Sequence, residues 1–232
     1  MRGFLKLARQ RLYGAIAVAC NVTIVLIFSV GVAAANPVRV VALGDSLTAG
    51  YGLANPVDGL VPQLEGLLRA GGADVVVENA GVSGDTTAGG LARLDWALGG
   101  GADALIVTLG GNDMLRGLPP AQARANLEAI LKAAKARGLP VLLVGMTAPG
   151  NYGPEYKADF DRIYPELAAD YGALLMPDFF DGFRDAGGDM TNPASFAKWM
   201  QADGIHPNPA GVEVIAKALA PKVEDLLALA GG

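Results

Sequence analysis

Val38-Arg39-Val40-Val41-Ala42-Leu43, running directly into Gly44-Asp45-Ser46-Leu47-Thr48, is the stretch from which the fold can be read. A short apolar run rich in β-branched residues describes a strand covered on both faces, and the glycine and polar residues after it mark a junction into a helix. Similar runs at 74–78, 104–109 and 141–145, with a weaker fifth at 173–176, read as further buried strands. Amphipathic stretches with helical spacing lie between them near 61–69, 86–98, 121–137 and 154–171. A terminal helix is expected over about 209–229, with Pro221 kinking or breaking it. Strand and helix in alternation predict one α/β domain: a five-stranded parallel sheet sandwiched between two helix layers. In such a sheet the ligand site lies beyond the carboxyl ends of the strands, so the loops starting at Gly44, Asn79, Gly110, Met146 and Pro177 are the ones to search.

Composition narrows the chemistry. Residues 1–35 combine a basic start (Arg2, Lys6, Arg9, Arg11), a largely apolar run from 15 to 32 and the small residues Ala33-Ala34-Ala35. This is the pattern of a secretory signal cleaved near Ala35, giving a periplasmic or secreted protein; the alternative is an uncleaved inner-membrane anchor facing the periplasm. Residues 36–232 would then form the mature domain, with 14 basic against 23 acidic side chains, a net charge of −9. That balance argues against nucleic acid as a partner. Cys20 falls in the discarded segment, so neither a disulfide nor a thiol nucleophile is expected, and one histidine without cysteine cannot build the usual zinc site. No metal and no cofactor are expected. Walker A and Gly-x-Ser-x-Gly sequences are absent. Neither coiled-coil heptads nor a second apolar stripe point beyond a monomer, and no obligate protein partner is implied.

Four loops carry candidate chemistry, and each also has an ordinary structural reading. Ser46, at a strand-to-helix junction, would expose its hydroxyl beside backbone N–H groups, although Asp45 or Ser46 could equally be a helix N-cap. The glycine-rich loop 79–86, containing Gly84, lets backbone N–H groups approach a ligand, or is a tight turn. Asn112, in Gly110-Gly111-Asn112-Asp113, offers a neutral amide donor, or caps a helical turn. His206 is the sole histidine, and Asp203 lies three residues before it across Gly204. An aspartate so placed can accept the Nδ1–H and leave Nε2 facing a nucleophile. All four loops fall where a parallel sheet collects its site, and together they supply a nucleophile, a base, an orienting carboxylate and oxyanion donors.

Gly-Asp-Ser-Leu at 44–47, the Gly84 loop, Gly-Gly-Asn-Asp at 110–113 and Asp-x-x-His at 203–206 resemble the four sequence blocks of the SGNH (GDSL) hydrolases. The resemblance implies a flavodoxin-like three-layer α/β/α fold, with Ser46, Asp203 and His206 as catalytic triad and Ser46, Gly84 and Asn112 as oxyanion hole. Further stretches at 90–94, 110–118, 151–153, 163–165 and 199–208 are similar to the periplasmic multifunctional arylesterase, acyl-CoA thioesterase and lysophospholipase group. That similarity implies hydrolysis of carboxylic esters, aryl esters, thioesters and lysophospholipids, with Met114–Pro119 flanking the acyl groove. Asp45, Leu47, Met114, Leu115, Tyr152 and Ile205 are expected to contact substrate. Segment 51–62 is longer than the group's pattern, which bears on the lip of the pocket. An O-deacetylase of extracellular carbohydrate and a non-catalytic exported binding module are the competing readings.

The signal pattern makes a direct prediction. Mass analysis of exported protein should find a new N-terminus near Asn36, whereas an intact Met1 in the membrane fraction would mean an anchor.

Overall fold

The structure, a computed structural model, describes residues 36–189 and 192–231. The proposed signal segment lies outside them. Five strands form one sheet: β1 (Val38–Gly44), β2 (Val75–Gly81), β3 (Ala104–Thr108), β4 (Val141–Val144) and β5 (Leu174–Met176), in the order β2-β1-β3-β4-β5 and all parallel. The central strands are buried, with Val40, Val41, Leu43, Leu105, Val107, Leu142 and Leu143 excluded from solvent, which accounts for their near-continuous apolar sequence.

One helix layer contains α2 (Leu60–Ala70), α9 (Asp181–Asp185) and the terminal α11 (Pro209–Ala230); α11 packs on the other two. The other layer is organised around α6 (Pro120–Ala136), which packs against α3 (Thr87–Ala92), α7 (Pro154–Asp161) and α8 (Ile163–Tyr171). The short helices α1 (Ser46–Ala49), α4 (Leu94–Leu98), α5 (Gly111–Leu115) and α10 (Pro193–Phe196) complete the set of described α-helices. From Pro37 onward these elements make one compact unit, the α/β/α sandwich expected.

Three local readings differ from expectation. The expected helix over 86–98 is interrupted at Arg93, which leaves helical geometry at φ −109° and ψ 7°. The helix over 154–171 divides after Asp161, four residues before Pro165, because the proline ring opposes that carbonyl and brings no N–H to it. Conversely, α11 continues through Pro221 without a break, held by its buried face of Val212, Ile215, Leu219, Val223 and Leu226. Here packing outweighs a single missing hydrogen bond.

Register positions the site. Gly44 at the end of β1 pairs with Gly81 of β2 on one side and Thr108 of β3 on the other. The loops leaving these three strands therefore start at one level, and β1 is the strand at which the direction of chain progression reverses. α1 lies directly over Gly81: a Cβ there would meet Ala49 N at 2.4 Å and the Thr48 carbonyl carbon at 2.8 Å. Gly81→Ala should consequently lower stability by about 1–3 kcal/mol, measured by urea unfolding, since two backbone segments must separate. Unchanged stability would mean the contact is not as close as described.

Candidate active site

Ser46 is the first residue of α1, and Asp45 is its N-cap. The Asp45 carboxylate accepts from Leu47 N–H at 3.0 Å through Oδ1 and from Asn112 Nδ2 at 3.2 Å through Oδ2. Both readings of this loop thus hold at once, divided between neighbours: Asp45 caps the helix and Ser46 points its hydroxyl out. Gly44 cannot carry a side chain, because a Cβ would lie 2.0 Å from Thr48 Oγ1.

His206 and Asp203 reach Ser46 from the loop before α11. His206 Nε2 lies 2.9 Å from Ser46 Oγ, and His206 Nδ1 lies 2.7 Å from Asp203 Oδ2. An ionised carboxylate only accepts, so Nδ1 carries the hydrogen and Nε2 is the acceptor for the serine hydroxyl. Asp203 Oδ1 also accepts from the backbone N–H of Ile205 at 2.9 Å and of His206 at 3.0 Å. The His206 N–H, the His206 ring and the Ile205 N–H hold the Asp203 carboxyl down at about 2, keeping it charged. Gly204, at φ +66°, allows the chain to fold back over this carboxylate.

Gln201 locks the histidine loop to the serine loop. Its backbone N–H donates to His206 O at 2.8 Å, and its side-chain Nε2 donates to Pro207 O at 2.9 Å and to Tyr51 O at 2.8 Å. The Tyr51 ring lies against the His206 ring, centroids 4.6 Å apart.

Asn112 and Gly84 face the same cleft as Ser46 and His206. Asn112 is held by Asp45, with the second hydrogen of its amide left for a ligand. Its neighbour Asp113 is buried and accepts from both the backbone N–H and the hydroxyl of Thr87 at 2.7 Å, fastening this loop to α3. Gly110 has φ +119° and lies against Tyr164, whose hydroxyl donates to Leu109 O at 2.9 Å. Gly84 also has positive φ, +86°, so its turn suits glycine alone.

The cleft has a volume of about 500 Å³. Leu47, Met114, Leu115 and Ile205 line it, as the sequence resemblance implies. Two expected contacts are different in kind. Asp45, 1% exposed, spends its carboxylate on Leu47 and Asn112, so it holds the start of α1 and the Asn112 amide in place. Tyr152 is absent from the cleft wall; its hydroxyl donates to Leu115 O at 3.1 Å and its ring covers Gly117, bracing the 114–118 segment from outside. Sequence reasoning missed the apolar walls Tyr51, Met146, Phe180, Phe196 and Met200. Tyr51 carried a usable signal, lying between two glycines just after the serine block, and Met200 lies within the 199–208 stretch that carries the family resemblance. Among the described residues no group of three or more His, Cys, Asp or Glu is placed to hold a metal ion.

With this geometry in view, comparisons with known proteins are informative. The family model for the GDSL-like lipase/acylhydrolase family matches residues 42–214. The chain belongs to that family. Among its relatives, esterase TesA of Pseudomonas aeruginosa is 42% identical over 196 residues, spanning 84% of this chain and 91% of that protein. Thioesterase 1/protease 1/lysophospholipase L1 of Escherichia coli K12 is 38% identical over 186 residues, spanning 80% of this chain and 83% of that one. The crystal structure of AlinE4, an SGNH-hydrolase family esterase, superposes with a TM-score of 0.66 at 42% identity, covering 83% of this chain and 98% of that one. These GDSL-family likenesses span the whole region that carries the four loops.

Burial pushes the Asp45 carboxyl up to about 6 from 3.8, against the opposing pull of the Leu47 N–H, Asn112 and His206. The folded protein therefore binds a proton that the unfolded chain has released between about pH 4 and 6, and this group's contribution to stability is present at low pH and lost as pH rises through about 6. Asp45→Asn should abolish that loss. Measured by urea unfolding from pH 4 to 7, stability of the variant relative to the parent should rise by up to roughly 3 kcal/mol. A difference independent of pH would contradict the raised carboxyl.

Proposed function

We propose that the chain is a serine ester hydrolase that works through an acyl-enzyme on Ser46. The single observation that carries this reading is the unbroken chain of hydrogen bonds from Asp203 through the only histidine to Ser46, at 2.7 and 2.9 Å. Ser46 Oγ attacks the carbonyl carbon while His206 Nε2 takes its proton, and Asp203 stabilises the resulting imidazolium. The carbonyl oxygen, now negative, is received by the Ser46 and Gly84 N–H groups and the Asn112 amide. Collapse expels the alcohol or thiol, which leaves with the proton from His206. Water, deprotonated by the same nitrogen, then releases the acid and restores Ser46. Every step uses groups of this chain, so no cofactor is required.

The apolar walls support an acyl chain as the group held. Leu47, Met114, Met146, Phe180, Met200 and Ile205 offer a sugar ring few partners for its hydroxyls. We therefore favour short to medium acyl esters, aryl esters, thioesters and lysophospholipids over acetylated carbohydrate. The named activities of the relatives, esterase and thioesterase/lysophospholipase, point the same way. A non-catalytic binding module has no use for the proton path that the three side chains make. The basic, apolar and small-residue pattern of 1–35 supports export to the periplasm with 36–232 as the catalytic domain, acting as a monomer on small-molecule substrates. Among the described residues no helix is long and apolar enough to cross a membrane.

Ser46→Ala should cut hydrolysis of p-nitrophenyl acetate by roughly 10⁴-fold or more and abolish labelling by a fluorophosphonate probe. A folded variant that still labels would overturn the nucleophile assignment.

A further inference from the structure

Arg93 is not among the residues that touch the cleft, yet all three of its guanidinium nitrogens are committed to the strands and loop that bear the nucleophile and an oxyanion donor. Nη2 donates to Gly44 O at 2.8 Å, two residues before Ser46. Nη1 donates to Ala80 O at 2.7 Å, near the end of β2. Nε donates to the Asp85 carboxylate at 2.6 Å, one residue after Gly84. Both charged side chains are largely buried, 17% and 18% exposed, so their pairing is shielded from water and little screened by salt. Gly44 O also accepts from Val82 N–H at 3.0 Å, and Val82 O from Asp85 N–H at 3.1 Å, so the guanidinium closes a ring of contacts around the turn that presents Gly84.

We propose that Arg93 is a positioning residue for the reaction: it fixes the spacing between Ser46 and the Gly84 N–H, and through it the oxyanion hole. The inference rests on the acyl-transfer reading above. Three features support a role beyond general packing. First, Arg93 stands at the junction where the expected helix over 86–98 is interrupted, and its side chain reaches two strands and a loop from there. Second, two of its three acceptors are main-chain carbonyls in the carboxyl-terminal halves of adjacent strands, where a displacement passes directly into the loops. Third, three different nitrogens of one side chain donate to three separate acceptors, which a guanidinium fork supplies and the single nitrogen of an ammonium does not. The Ser46 end and the Gly84 end must hold the oxygen of one tetrahedral intermediate, and a misplacement of about 1 Å there costs on the order of 10²-fold in rate.

The test uses the folded protein with Arg93→Lys and, separately, Asp85→Asn, which leaves both carbonyl contacts of Arg93 intact. For each, kcat and KM for a p-nitrophenyl ester are measured beside the affinity for an alkyl trifluoromethyl ketone, whose serine adduct carries an oxyanion. The expected result for Arg93→Lys is a fall in kcat of tenfold or more with KM within twofold, and a parallel loss of ketone affinity. Asp85→Asn should show the same pattern at about three- to tenfold. If Arg93→Lys does not fold, Asp85→Asn alone decides. A folded variant whose kcat stays within twofold of the parent, or whose kcat falls while ketone affinity does not, would overturn the proposal. Failure of the acyl-transfer reading itself is distinguishable, because the parent protein would then form no ketone adduct.

Discussion

The hydrogen bond between His206 Nε2 and Ser46 Oγ joins residues 160 positions apart, and it forms only where the end of β1 and the loop before α11 stand side by side. Neither end is free to search for the other. Ser46 is fixed by the Asp45 cap and by the close seat of α1 on Gly81, while His206 is fixed by Asp203, Gln201 and the ring of Tyr51. Gln201 spans the gap with its own side chain, so the two loops are tied before a substrate arrives. Preorganisation of this kind places the cost of orientation in folding and leaves little for the reaction to reorganise.

Two carboxylates close to the nucleophile have opposite surroundings. Asp203 accepts three hydrogen bonds and is held down at about 2, which suits a group that must remain charged beside an imidazolium. Asp45 is buried and pushed up to about 6, with its oxygens directed at a helix N–H and at the Asn112 amide. The first is bonded to the His206 ring, the second to the Asn112 amide and the first turn of α1. The difference arises from burial at Asp45 against hydrogen bonds from His206 and Ile205 at Asp203, not from residue type.

Much of this was legible in the sequence because it depends on local rules. Apolar runs of strand length gave the parallel sheet, and the resemblance of four short blocks to SGNH hydrolases gave the residues that the structure brings together at one cleft: Ser46, Gly84, Asn112 and His206, with Asp203 behind the histidine. What was not legible depends on contacts between distant segments. Arg93 lies in the expected helical stretch 86–98, and nothing in the sequence pattern reveals that Gly44, Ala80 and Asp85 converge on its side chain. Phe180, Phe196 and Met200 could not be told from core side chains by sequence, since facing a cleft and facing a core require the same chemistry. Tyr152 lies outside the cleft wall for a related reason: position along the chain does not say on which side of the 114–118 segment the ring falls. At Pro221 the helix runs on without the break that the local rule allows, held by the buried face of α11.

The central claim is that Asp203 fixes the tautomer of His206 so that Nε2 is free to accept the proton of Ser46. The presence of one histidine makes this observable without assignment, because the protein has a single imidazole. The decisive measurement is the ¹⁵N and ¹H NMR spectrum of histidine-labelled protein at a pH where the imidazole is neutral. The account predicts an Nδ1–H proton shifted far downfield, an Nε2 with the shift of an unprotonated ring nitrogen, and loss of the downfield proton in Asp203→Ala. A ring protonated at Nε2, or a spectrum indifferent to Asp203→Ala, would contradict it.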